Sequence, residues 1–134
     1  MRFTFENREK IDEMHSHDGE FEGYSFDSEN RTIRMTWMDG FEENKRIHLT
    51  CNHVIYSEMQ SYESWGPGIT RIYHIWHIDE SPQMEKMKEL IDIDKTEHYR
   101  SYKEVKYIQI IIKILSGDEL TIICESVDWD EEII

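Results

Sequence analysis

The sequence predicts a β-rich α+β fold, with an antiparallel sheet or open barrel of about six or seven strands and one helix packed on it. Ile occurs 19 times, against 4 Leu and 3 Val, and Ala is absent. β-Branched side chains pack well on pleated strands and lose rotamer freedom in helices, so this composition favours strands. Apolar and polar residues also alternate with a period of two along most of the chain, whereas a single segment has clear helical spacing.

Length and composition indicate one domain spanning residues 1–134. A chain of this length encloses a single hydrophobic core. It contains 6 Gly and 2 Pro, and no repeat, low-complexity tract or Pro/Gly-rich linker divides it. We therefore expect one continuous fold.

The first half of the chain predicts three longer strands after a short first one. Phe3 and Phe5 alternate with polar neighbours and predict a short first strand or an extended arm, and residues 7–14 follow as a helical turn with Asn7 as its cap. Residues 20–26 and 33–37 alternate on either side of a turn-like run and predict a hairpin. A third strand follows the Asp39-Gly40 turn and bends near Asn52. The side chains expected on the buried face are Ile33, Met35, Trp37, Ile47, Leu49 and Cys51.

The second half predicts one strand, the helix and a final hairpin. The run Trp65-Gly66-Pro67-Gly68 predicts a loop. Residues 71–78 alternate again, with Ile72, His74, Trp76 and Ile78 on one face and Tyr73, Ile75 and His77 on the other. Ser81-Pro82 supplies a cap and a first-turn proline for a helix whose apolar stripe is Met84, Met87, Leu90 and Ile91. Residues 107–115 and 120–127 then form a hairpin whose first strand is central, because it has apolar residues on both faces.

The charge is strongly acidic. The chain has 15 Lys and Arg against 29 Asp and Glu, a formal net charge of -14. An acidic surface is repelled by phosphate, so we expect no nucleic-acid partner. After Lys113 there is no Lys or Arg, and seven carboxylates follow. They are Asp118, Glu119, Glu125, Asp128, Asp130, Glu131 and Glu132. Such a patch attracts a basic protein, and the alternative is a solvated tail that keeps the protein soluble.

Targeting signals are absent from the sequence pattern. No apolar run approaches the roughly 20 residues that span a bilayer. Residues 1–8 lack the apolar core of a signal peptide. Two cysteines, Cys51 and Cys124, are too few for a secreted disulfide scaffold. We therefore expect a cytoplasmic protein with buried thiols and no membrane association.

A local cluster of His15, His17 and Asp18 has metal-ligand character. Imidazoles at alternate positions of an extended segment point the same way and can hold Zn²⁺ with a carboxylate and a distant further ligand. An exposed polar loop gives the same pattern, and no H-E-x-x-H-type motif is present. We expect no metal site here, and keep a metal-dependent hydrolase at these residues as an alternative.

No other catalytic arrangement is found. The two cysteines fall in predicted strands, where buried thiols are usually inert. The serines lack a G-x-S-x-G frame, and no glycine-rich phosphate loop is present. We therefore expect no catalytic residue and no cofactor.

Aromatic residues are concentrated in the middle of the chain. Tyr62, Trp65, Tyr73 and Trp76 flank the Gly-Pro-Gly loop or follow it. Tyr and Trp dominate protein interfaces, so these residues are expected to form a binding surface together with Asp128, Asp130, Glu131 and Glu132. The alternative is that the rings fill the core of a small sheet.

Four short runs carry a resemblance that spans most of the chain: His17-Asp18-Gly19, Phe21-Glu22-Gly23-Tyr24, Ser57-Glu58-Met59-Gln60-Ser61 with Trp65-Gly66, and Arg71-Ile72-Tyr73. They resemble small bacterial proteins of unknown function, some of which are similar in style to immunity proteins of toxin systems. The resemblance implies a bacterial, non-enzymatic protein and transfers no functional residue.

The leading hypothesis is a non-enzymatic binding or regulatory module, immunity-like, with an acidic face and a basic protein as its partner. One alternative is the metal-dependent hydrolase. The other is a small-ligand binder whose sheet encloses an aromatic cavity. The oligomeric state does not follow from the sequence.

Overall fold

The fold comes from a computed structural model that describes residues 1–60, 71–93 and 104–134. These residues contain nine strands, one α-helix and one 3₁₀ segment. The strands are β1 (Arg2–Phe3), β2 (Glu20–Asp27), β3 (Thr32–Met38), β4 (Lys45–Asn52), β5 (Tyr56–Gln60), β6 (Ile72–Ile78), β7 (Ile108–Ile114), β8 (Glu119–Cys124) and β9 (Ser126–Ile133). The 3₁₀ segment is Phe5–Glu13, and the α-helix, α1, is Pro82–Ile93.

The strands form two antiparallel sheets. A five-stranded sheet has the order β1-β9-β4-β3-β2, and a four-stranded sheet has the order β5-β8-β7-β6. The predicted β-rich α+β class with antiparallel pairing and one main helix is confirmed. The predicted number of six or seven strands is wrong, because the sequence pattern does not separate β4 from β5 or β8 from β9.

Both sheets contribute to one hydrophobic core. Ile33, Met35 and Trp37 of β3 are buried, as their alternation predicts. From the four-stranded sheet, Ile110 and Ile122 join the same cluster. Because the buried residues of both sheets form one contiguous cluster, the sheets pack against each other through it.

The chain passes between the sheets at one corner. β4 leads into β5 through residues 53–55, where His53 has a positive φ of 51°. β8 leads into β9 through Glu125 alone, whose backbone N–H donates to the Asn52 carbonyl at 3.0 Å. β4 pairs with β9, and β5 pairs with β8. One bent two-stranded ribbon is therefore shared by both sheets, a corner of the kind at which strands change sheets.

Strand β6 departs from the alternation that its sequence predicts. The register shifts between Ile72 and His74, and both Ile72 and Ile75 are buried. The prediction that Ile72 and Ile75 lie on opposite faces is therefore wrong. A β-bulge inserts one extra residue, so the side chains after it point to the opposite face of the sheet from the one that strict alternation predicts.

The 3₁₀ segment packs against β6 and β1, and the start of α1 is joined to β7 by a hydrogen bond between Ser81 and Gln109. Ser81 caps α1, since its Oγ accepts a hydrogen bond from the Met84 N–H at 2.9 Å. Met84 and Ile91 are buried, whereas Leu90, predicted on the same stripe, is half exposed. In the 3₁₀ segment Ile11 is buried, and the cap position is Thr4 rather than the predicted Asn7. Among the described residues, no helix is both long and apolar enough to cross a membrane.

Candidate binding site

The acidic residues near the C-terminus form a strand. β9 pairs with β4 over eight positions, from Asn52 opposite Ser126 to Lys45 opposite Ile133. Val127 and Trp129 point into the core. The carboxylates of Asp128, Asp130 and Glu132 occupy the alternate positions, so they line the opposite face at intervals of about 7 Å.

Of the four carboxylates that the sequence places on the binding surface, Asp128 and Glu131 form ion pairs within the chain, and Glu132 contacts an imidazole. Asp128 accepts two hydrogen bonds from Arg2, which lowers the pKa of Asp128. Glu131 forms an ion pair with Lys45 at 3.1 Å, and Glu132 Oε2 lies 2.7 Å from His48 Nε2. The hydrogen bond from His48 lowers the pKa of Glu132, and the bond to Glu131 raises the pKa of Lys45. Asp130 is exposed and has no ion-pair partner in the described part of the chain.

Beyond its first half, one edge of β9 pairs with no strand among the described residues, and this part is called the open edge. β1 pairs with β9 only at Phe3–Val127 and Arg2–Asp128. The N-terminal ammonium of Met1 then donates to the Trp129 carbonyl at 2.9 Å, and the Trp129 N–H donates to the Met1 carbonyl at 2.8 Å. From Asp130 onward, β4 is the only strand among residues 1–60, 71–93 and 104–134 that pairs with β9.

The edge strand β6 of the other sheet is covered instead. The Ile72 N–H donates to the Gly19 carbonyl at 2.7 Å, and the Asp18 N–H donates to the Ile72 carbonyl at 2.9 Å. Further along, the His77 N–H donates to the Asp12 carboxylate at 2.8 Å. The 3₁₀ segment and the loop after it thus occupy hydrogen-bonding groups that an edge strand otherwise presents to another chain.

The predicted aromatic surface lies partly in this covered region. Tyr73 has 51% of its surface exposed, and its ring meets His17 edge-to-face at 6.1 Å. Trp76 is half buried and stacks on His74 at 5.5 Å. Tyr62 and Trp65, with the predicted Gly-Pro-Gly loop, lie outside the described residues.

The histidine cluster does not converge on one point. His15 packs on the ring of Phe41 at 4.4 Å. His17 Nδ1 lies 2.9 Å from the Tyr73 carbonyl oxygen, and its Nε2 lies 3.6 Å from the Asp18 carboxylate. Within the described ranges, no group of three or more His, Cys, Asp or Glu is placed to hold a metal ion. The hydrolase alternative therefore gains no support from this geometry.

A glycine holds this loop against the core. A Cβ at Gly19 would lie 2.5 Å from Cδ1 of the buried Trp37 ring. Only a residue without a side chain can approach the ring so closely. The loop thus packs directly on the core, and this contact positions the backbone groups of Asp18 and Gly19 that bind β6.

The thiols are buried. Cys51 and Cys124 are free and fully buried, as the sequence predicts. A hydrogen bond with Cys51, and then burial, raises the pKa of the Cys124 thiol well above its usual range. Because the thiolate is the nucleophile, this environment opposes nucleophilic chemistry.

The sequence pattern did not reveal β9 or its partners. The alternation of Val127 and Trp129 with carboxylates is the local signal that identifies the strand. Arg2, Lys45 and His48 lie more than 80 positions away from their partners on β9. Such pairs depend on the order of strands in the sheet, which local periodicity does not specify.

Comparison with protein-family models, with curated proteins and with solved structures gives no significant match. The resemblance to small bacterial, immunity-like proteins therefore stays a prediction.

Proposed function

We propose that this chain is a non-enzymatic protein-binding module that docks an extended cationic segment of a partner protein along the open edge of β9. The observation that carries the proposal is that an open strand edge and three successive carboxylates coincide at residues 130–132. Adding a strand to a sheet edge is a common mode of peptide recognition, in which main-chain hydrogen bonds provide affinity and side chains provide specificity.

The direction of the backbone groups supports this site. In an antiparallel strand, successive residues direct their N–H and C=O groups to opposite sides. Trp129 bonds to Met1, which lies on the β1 side. Glu131 and Ile133 lie two and four positions after Trp129. Their backbone N–H and C=O groups therefore point to the same side as those of Trp129, which is the open edge. The Ile134 N–H donates to the Asn44 carbonyl on the β4 side at 2.7 Å, which agrees with this assignment.

The charges favour a cationic occupant. The chain has a formal net charge of -14, and Asp130 is an exposed carboxylate on this strand. The carboxylates of Glu131 and Glu132, which contact Lys45 and His48, are about half exposed. Exposed ion pairs contribute little free energy, so a partner's Lys or Arg can join them at low cost. A second copy of this chain would be repelled by like charge.

Acidic residues on an edge strand also have a purely protective role. Charge at an open edge discourages pairing with other chains and limits aggregation. This alternative requires no partner. Binding to a defined cationic peptide distinguishes the two roles.

The experiment is a titration of ¹⁵N-labelled protein with a short synthetic peptide in which Lys and Val alternate. We expect amide shifts on β9 and β4 that are smaller at higher salt, since exposed charges are screened. A matched peptide with Glu in place of Lys should cause none. Equal shifts with both peptides, or none with either, contradict the proposal.

Two variants of Glu131 separate backbone pairing from charge. Glu131→Pro removes an N–H that points to the open edge, where proline is tolerated. Glu131→Gln removes only the charge. Strand addition predicts a larger loss of peptide affinity for the proline variant, with an unchanged circular dichroism spectrum. Equal affinities of the two variants would indicate attraction of charges without a docked strand.

A further inference from the structure

His48 lies on β4, beside the row of carboxylates on β9. The register of the sheet places it opposite Asp130, and its Nε2 lies 2.7 Å from Oε2 of Glu132. The side chain of Glu132 is 52% exposed, whereas that of His48 is 20% exposed. The Glu132 carboxylate therefore lies between the imidazole and any strand that docks at the open edge.

The contact between His48 and Glu132 has two charge states. A neutral imidazole donates from one nitrogen only, and the carboxylate at Nε2 selects the tautomer whose proton is on that nitrogen. Within the described part of the chain, the buried Nδ1 of His48 has no hydrogen-bond partner. Its lone pair is thus not engaged by a donor there, and a second proton at Nδ1 turns the contact into an ion pair.

Charged groups on four strands surround this imidazole. They are Asp128, Asp130 and Glu132 of β9, Arg46 of β4, Arg34 of β3 and, bound to Arg46, Glu22 of β2. The hydrogen bond from His48, together with both arginines, lowers the pKa of Glu132. Glu132 therefore stays ionised over the pH range in which imidazoles gain a proton, and the charge that changes there is on the ring.

We propose that His48 makes docking at the open edge depend on pH: the neutral imidazole leaves the Glu132 charge to a cationic partner, and the imidazolium neutralises it. This inference rests on the proposed function, because it concerns the same site. A strand added beside β9 places alternate side chains about 5 Å from Asp130 and Glu132. Imidazoles change charge between about pH 5 and 8, so docking strengthens as the pH rises through this range.

The test is the affinity of the peptide of alternating Lys and Val at about pH 5.5 and about pH 8. The peptide is acetylated and amidated, so that its own termini do not titrate. Salt at about 0.15 M screens exposed charges more than about 8 Å away, which limits the effect of distant histidines. We expect the peptide to bind about two- to fivefold more tightly at the higher pH, since one exposed charge is gained.

His48→Gln is the test variant, and His53→Gln is the matched control. His53 follows β4 and also contacts a carboxylate, with its Nδ1 3.0 Å from Glu125 Oε2. Glu125 precedes β9, so this second pair lies at the end of the strand away from the open edge. We expect His48→Gln to bind the peptide equally at both pH values, and His53→Gln to keep the difference of the parent.

An NMR titration of the His48 ring adds a readout that does not depend on a variant. Because coupling between two binding events is reciprocal, saturating peptide should move the titration midpoint of this ring to lower pH. Equal parental affinities at both pH values, an unchanged midpoint, or the parental difference in His48→Gln would overturn this inference and leave the docking proposal standing. Binding at neither pH would contradict the docking itself, and this inference with it.

Discussion

The guanidinium of Arg2 donates two hydrogen bonds to the carboxylate of Asp128, from Nε to Oδ1 at 2.7 Å and from Nη2 to Oδ2 at 3.0 Å. Asn52 donates a third to the same carboxylate at 2.9 Å. Asp128 thus joins three strands of the five-stranded sheet, β1, β9 and β4. The Arg2 guanidinium holds the pKa of Asp128 below its usual value.

The first prediction concerns pH. A carboxylate whose pKa is lowered by folding stabilises the fold above its unfolded pKa, and this contribution is lost as the pH falls through the folded pKa. We expect Asp128→Asn to lower the free energy of unfolding by about 0.5–1 kcal/mol at neutral pH. The difference from the parent should shrink below about pH 4. Urea unfolding across this range measures it, with Asp130→Asn as the control that removes no ion pair.

The second prediction concerns the centre of the four-stranded sheet. β7 lies between β6 and β8, and Ile110 is fully buried in the shared core. Truncating such a residue leaves a cavity, so we expect Ile110→Ala to cost about 2–5 kcal/mol. Leu115→Ala just after β7 is the control, since Leu115 is 46% exposed and should change stability by less than about 1 kcal/mol. Similar melting temperatures for the two variants would contradict the assignment.

The third prediction concerns the thiols. Because the hydrogen bond with Cys51 and burial raise the pKa of the Cys124 thiol, the folded protein should react very slowly with an aromatic disulfide reagent. In denaturant, both Cys51 and Cys124 should react at the rate of free cysteine. Rapid release of chromophore from the folded protein would show that the region around the thiols opens readily.

The fourth prediction concerns the start of α1. Ser81 Oγ accepts the Met84 N–H and donates to Gln109 Oε1 in β7. Ser81→Ala removes the helix cap and leaves the buried Gln109 carbonyl without this donor, so we expect a loss of about 1–3 kcal/mol. Ser81→Asp keeps a cap but cannot donate to Gln109 when ionised. Stability of the aspartate variant equal to that of the parent would show that the hydrogen bond to Gln109 contributes little.

Much of the fold was accessible from the sequence because its signals are local. The alternation of Ile33, Met35 and Trp37 identified β3, and Ser81 followed by Pro82 marked the start of α1. These patterns reflect the pleat of a strand and the unpaired N–H groups at a helix start.

The features that the sequence did not predict depend on long-range geometry. The bulge after Ile72 leaves no interruption in the apolar pattern. Between β8 and β9 the break is the single residue Glu125, which is too short to mark the end of a strand in the sequence. A cleft beside α1 likewise combines Phe5 with Met87 and Tyr107, which are distant in sequence. Phe5 was interpreted as part of a strand, because alternation alone cannot show which residues of separate segments will meet.

The pairing of β1 with β9 has a consequence for synthesis of the chain. Arg2 and Asp128 are separated by 126 positions, and β9 lies between β1 and β4. The ribosome releases the first strand long before the strand that receives it. Until β9 emerges, one edge of β4 has no partner and the core-facing side of this sheet remains accessible to other nascent chains. Such non-local topologies fold slowly, so newly made protein is expected to depend on chaperones more than its small size suggests.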